Sequence, residues 1–122
     1  MYSVRFTIKY PCHFGGLYGL NALYQGIHWA KRKAAADFWH SLVTIELMRQ
    51  KIPKKIFEKP VEITFWWDDR LDLSNEAYAA KLIEDALKGY LIADDGKKYV
   101  QGISHKIHNK KCIEVEVKEI AP

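Results

Sequence analysis

The sequence predicts a single α+β domain: one mixed β-sheet with two main helices packed on it, in the order β-α-β-α-β-β. Three observations carry this expectation. Short segments alternate apolar and polar residues, two longer segments repeat apolar residues at three- and four-residue steps, and Pro or Gly punctuates the joints. A length of 122 residues fits one domain, taken here as 1–122, able to bury a core without disulfide or metal staples.

The first strand is expected over residues 3–10, where Val4, Phe6, Ile8 and Tyr10 share one face and Ser3, Arg5, Thr7 and Lys9 the other. Pro11 ends it, and Gly15, Gly16 and Gly19 shape the loop that follows. From His28 to Gln50 the period becomes helical, with Ala35, Phe38, Trp39, Leu42, Ile45 and Met48 as the expected apolar stripe. Pro53 and the Lys54-Lys55 pair mark a linker, and Pro60 opens a second strand from Val61 to Trp67, with Trp66-Trp67 reading as a buried strand end. A second helix fits Asn75 to Lys88, with Asp72 or Ser74 placed to cap it and Gly89 to end it. Asp94-Asp95-Gly96 is turn chemistry. Two last strands, Lys98–Ile107 and Cys112–Ile120, flank a polar connection at 108–111.

Composition narrows the function classes. Hydrophobic residues make up 48% and charged residues 28%, which argues against disorder. No apolar run approaches a membrane span and no basic-then-apolar leader opens the chain, so no membrane partner is expected. Cys12 and Cys112 lie far apart and form no CxxC motif, which points to a reduced, cytoplasmic setting. His105, His108 and Cys112 lack a second close pair of zinc ligands, and strand alternation accounts for them without metal. No P-loop, dinucleotide fingerprint or Ser-His-Asp order occurs, so no small-molecule substrate is indicated.

Charge is distributed unevenly. Between Asp68 and Asp95, eight acids stand against three bases, a net −5, while the remainder holds 16 bases and 7 acids, a net +9. Basic flanks that hold phosphates around carboxylates that hold a cation are what a metal nuclease needs. Asp72 precedes a helix N-terminus, Lys81 and Asp85 are one turn apart on the same helical face, and Asp94 and Asp95 occupy the turn beyond. Hard Mg²⁺ accepts two or three such carboxylates with water and phosphate oxygens. Each feature has a plainer reading: a cap, an exposed ion pair, a hairpin turn.

Taken in order, Asp72-Leu73-Ser74-Asn75, Lys81-Leu82-Ile83-Glu84-Asp85-Ala86-Leu87 and Leu91-Ile92-Ala93-Asp94-Asp95, with Tyr99-Val100 after them, resemble the RusA family of Holliday-junction resolvases. Asn21-Ala22-Leu23-Tyr24 and His28-Trp29-Ala30-Lys31-Arg32-Lys33 resemble its Asn…Tyr and basic segments. The resemblance implies a homodimeric, Mg²⁺-dependent endonuclease (Mn²⁺ serving as well) of bacterial or bacteriophage origin that makes paired nicks in four-way DNA junctions. It assigns catalysis to Asp72, Lys81 and Asp95, metal ligation to Asp72, Asp85, Asp94 and Asp95, and DNA contacts to Asn21, Lys31, Arg32, Lys33 and Asn75. Two departures stand out. Ser74 replaces the second aspartate of the Asp-x-Asp-Asn element, and Asn75 to Lys81 is longer than in the best-known pattern. Asp69, Glu76, Asp85 and Asp94 are the candidates to supply the missing carboxylate, Asp85 and Asp94 foremost. The competing expectations are a junction-binding protein without catalysis and a metal nuclease acting on flaps or single strands.

Overall fold

In a computed structural model, which describes residues 2–11, 29–70 and 76–120, the chain runs β1 (Ser3–Lys9), α1 (Trp29–Arg49), β2 (Val61–Asp68), α2 (Ala77–Leu87), β3 (Val100–His108) and β4 (Cys112–Glu119). Among the described residues this is the expected α+β domain, with a mixed sheet and two helices. The four strands lie in the order β1-β4-β2-β3. β4 runs antiparallel to both β1 and β2, whereas β2 and β3, joined through α2, are parallel.

Strand alternation builds the core. Val4, Phe6 and Ile8 of β1, Ile113, Val115 and Val117 of β4, and Val61, Ile63, Phe65 and Trp67 of β2 are buried on one face of the sheet. That face meets Trp39, Val43 and Leu47 of α1 and Ala79, Ile83, Ala86 and Leu87 of α2 within one hydrophobic cluster. Each such large side chain contributes about 1.5–3 kcal/mol on leaving water. Trp67 belongs to this buried face, while Trp66 points to the opposite one, with the Arg5 guanidinium 4.5 Å and the Lys106 ammonium 5.7 Å from its ring. No described helix is long and apolar enough to cross a membrane.

β2 and β3 do not pair evenly. Val61 aligns with Val100 but Glu62 with Gly102, so Gln101 is an extra residue, a β-bulge. Beyond it, Ile103, His105 and Ile107 lie beside Ile63, Phe65 and Trp67 and so share their face of the sheet. The imidazole of His105 stacks near Phe65 and Trp67, and Trp67 Nε1 donates to His105 Nδ1 at 3.0 Å. His108 lies on the other face by alternation, its Nε2 2.7 Å from the Cys112 carbonyl, which separates two of the residues considered for zinc.

Three sequence expectations need correction. The buried face of α1 is Trp39, Val43 and Leu47, with Ala35 and Leu42 half-buried, while Phe38, Ile45 and Met48 are exposed, Met48 by 65%. Apolar residues occur on both sides of this helix, so period alone could not select the packed side. α2 begins at Ala77 rather than Asn75, with Glu76 in the capping position making no side-chain cap bond; Asp72, Ser74 and Asn75 lie outside the described residues. β3 starts at Val100, because residues 96–99 form a turn in which the Gly96 carbonyl accepts from the Tyr99 and Val100 amides. The expected stop holds: Lys88 leaves the helix and Gly89 takes a positive φ of 80°.

The α1 correction can be tested by urea denaturation. Val43→Ala and Leu47→Ala should each destabilise, Leu47→Ala by about 2–5 kcal/mol, whereas Met48→Ala should stay within about 0.5 kcal/mol of the parent. Equal losses at Leu47 and Met48 would place the packed face wrongly.

Candidate functional site

Helical spacing puts Lys81, Glu84 and Asp85 on one face of α2, since residues three and four apart lie above one another, and Lys88 follows as the capping residue at its C-terminal end. What the helix alone cannot supply is the return of the chain. Gly89 reverses it, its amide donating to the Ile92 carbonyl, and the Leu91 and Ile92 amides both bond back to the Leu87 carbonyl. Leu91 and Ile92 are buried, and the Leu91 carbonyl accepts from the Phe57 amide at 2.8 Å. The turn is thereby fastened to the core, and Asp94 and Asp95 come to rest beside the helix they follow. Asp94 Oδ1 accepts the Asp95 amide at 2.8 Å, which fixes the local turn.

A closed ionic cluster results. Lys81 Nζ lies 2.5 Å from Asp95 Oδ2, 3.2 Å from Asp85 Oδ1 and 3.8 Å from Glu84 Oε1. Lys88 Nζ lies 3.2 Å from both Asp85 Oδ1 and Asp95 Oδ2, and 3.8 Å from Asp94 Oδ1. Asp85 and Asp95 thus share the same two ammonium groups. Hydrogen bonds from Lys81 first, then Lys88, hold the Asp95 carboxyl well below the usual carboxylate range. The same bond to Asp95 holds the Lys81 ammonium above its ordinary value. Burial pulls Lys88 down, but its bonds to Asp95 and Asp85 outweigh that and its pKa is raised. Glu84 is buried against the cluster; desolvation pushes its pKa up and Lys81 only partly offsets this.

The expected residues divide into three groups. Lys81, Asp85, Asp94 and Asp95 are brought together. Asp72, Asn75 and Asn21 lie outside the described residues. Lys31, Arg32 and Lys33 sit near the N-terminus of α1, where Arg32 and Lys33 are exposed and Lys33 pairs with Asp37 at 3.2 Å. Of the other candidate carboxylates, Glu76 is buried at the start of α2, and the Asp69 amide donates to the His108 carbonyl. Lys97 and Lys98 are exposed just beyond Asp95.

Two residues escaped the sequence reading. Lys88 completes the cluster, and its signal was present: it is seven residues from Lys81 and three from Asp85. Arg70 grips the buried Asp68 carboxylate, its Nε 3.0 Å from Oδ1 and its amide donating to the same oxygen at 3.0 Å. That grip keeps the Asp68 carboxyl well below its usual range and ties down the turn by which the chain leaves β2.

Mg²⁺ needs few protein ligands, and Asp85 and Asp95 converge well enough to supply part of a set. Among the described residues, no three His, Cys, Asp or Glu side chains gather into a group that could hold a metal ion. Searches with the whole chain found no matching protein-family model and no matching curated protein.

The state of Asp95 makes the cluster testable by pH. A depressed carboxyl pKa contributes stability above the unfolded value of about 3.9 and loses it as pH falls through the lower folded value. Asp95→Asn should therefore flatten the fall in Tm between about pH 4 and pH 2, followed by circular dichroism. A fall as steep as the parent's would show that the lysines do not hold Asp95.

Proposed function

We propose that the chain is a Mg²⁺-dependent endodeoxyribonuclease of the RusA kind, cutting four-way DNA junctions in recombination and repair as a homodimer. The observation that supports this best is the closure of Asp95 onto Lys81 and Asp85. Those are the residue types, in the order, that the resemblance assigns to the reacting centre, and spacing alone left their meeting open.

Asp95 and Asp85, with Asp94 near and Asp72 completing the set, would hold the ion. Bound Mg²⁺ supplies Lewis-acid polarisation of a phosphate oxygen and a more acidic water. Lys81 keeps its charge throughout the working pH range, so it can neutralise negative charge that develops on the scissile phosphate. Lys88, gripping the same two aspartates, orients their oxygens before DNA arrives. Lys97 and Lys98 beside Asp95, and Lys31 to Lys33 on α1, are the basic residues offered to flanking phosphates. A junction has approximate two-fold symmetry, so two symmetric cuts call for an isologous dimer with one site per subunit.

The test is cleavage of a synthetic four-way junction with Mg²⁺ or Mn²⁺, beside duplex and flap controls. The parent should make paired cuts that chelation stops. Asp72→Asn and Asp95→Asn should abolish cutting while junction binding persists, and Lys81→Ala should slow it by about 10²–10³-fold. Junction binding without cutting in either metal would leave a non-catalytic binder. Preference for flaps or single strands would leave a general nuclease.

A further inference from the structure

β3 is the outermost strand of the sheet, next to β2 and, among the described residues, to no other strand. It is nine residues long, and an edge of that length with apolar side chains is normally shielded or paired. Among the described residues, neither shielding charge nor covering helix protects its core-side row. Ile103 is 46% and Ile107 54% exposed, although both lie on the sheet face that elsewhere carries the core.

The backbone of this edge has a definite polarity. The Asp69 amide donates to the His108 carbonyl at 2.8 Å, so even-numbered residues beyond the bulge turn their backbone polar groups toward β2. Ile103, His105 and Ile107 then turn theirs outward, since alternate residues of a strand bond to opposite sides.

We propose that β3 is the self-association surface of this protein, pairing antiparallel with β3 of a second copy about a two-fold axis through His105. Ile103 then faces the partner's Ile107, His105 faces its own counterpart, and Ile107 faces the partner's Ile103. All three residues present outward N–H and C=O groups, so every facing pair can exchange both hydrogen bonds. The apolar row becomes continuous between the two subunits. No like charges are opposed, because Lys106 falls opposite the partner's Ser104. Burial lowers the His105 pKa, and its Nδ1 accepts from Trp67, so the central imidazoles meet uncharged at neutral pH. Moving the axis one residue to Lys106 would set two lysines against each other. Moving it to Ser104 would set each isoleucine against a polar residue. The dimer itself belongs to the reading above, but its surface is inferred from β3 alone.

Sedimentation and disulfide trapping test the proposal together. The parent should sediment at twice the chain's 14.2 kDa, and Ile107→Lys at 14.2 kDa with an unchanged far-UV circular dichroism spectrum. In a Cys12→Ser, Cys112→Ser background, His105→Cys should link to itself on mild oxidation, since facing Cα atoms about 5.5 Å apart suit a disulfide. Ser104→Cys should not. A parent that stays monomeric, or a dimer that survives Ile107→Lys but is lost with Ile45→Lys on α1, would overturn the assignment. Self-linking at position 104 but not 105 would overturn the register. A monomer that still cuts junctions would remove the interface and spare the nuclease reading, whereas a β3-paired dimer that cuts no DNA would do the reverse.

Discussion

The burial of one face of β2 is the constraint on which the other elements depend. Val61, Ile63, Phe65 and Trp67 are fully excluded from water, and β2 is the strand that β3 and β4 both flank. Because strand side chains alternate, that single row fixes the face on which both helices pack and the register of both neighbours. It also fixes where the chain emerges. β2 ends at Asp68, whose amide donates to the Tyr10 hydroxyl at 2.9 Å and whose carboxylate is gripped by Arg70. The segment bearing Asp72 begins from this anchored end.

The ionic cluster derives its geometry from the same burial. Leu91 and Ile92 are apolar residues in a turn, and their insertion into the core draws Asp94 and Asp95 back along α2. Exposed ion pairs contribute little to stability by themselves, so the cluster is better understood as positioned by the turn than as holding it. Its lysines oppose the repulsion that would arise among Glu84, Asp85, Asp94 and Asp95 at such short range. The opposite face of the sheet uses its charges differently. There Arg5 pairs with Glu114 at 2.9 Å and covers the Trp66 ring, which occupies it in structural contacts.

Much of the fold was legible because its signals are local. Alternation gave all four strands to within two residues at either end, and Gly89 gave the end of α2. The failures have physical causes. In α1, Phe38, Ile45 and Met48 are as apolar as Val43 and Leu47, and only the position of the sheet distinguishes them. Asp72 and Ser74 are good capping residues, yet the helix begins beyond them at Ala77. At the candidate site, the one-turn pairing of Lys81 with Asp85 was readable from helical geometry. The approach of Asp95 was not, because it depends on how tightly a glycine reverses the chain and on which residues of the return are buried. Lys88 was overlooked because an isolated lysine at a helix end reads as solvated surface until its partners are placed.

The bulge at Gln101 sets how this chain can tolerate changes in length. The unpaired residue there puts Ile103, His105 and Ile107 on the core side of β3; if Gln101 were instead paired in the ladder, the following residues would turn over and present Gly102, Ser104 and Lys106 to Ile63, Phe65 and Trp67. Deletion of Gln101 would thus remove the bulge and keep Ile103, His105 and Ile107 on the core side, whereas a deletion further along β3 would turn over the residues beyond it. Loss of a codon at this point is a milder change than loss of one within the paired part of the strand. Homologous sequences that share this sheet should therefore vary in residue count at Gln101 more readily than between Ile103 and Ile107.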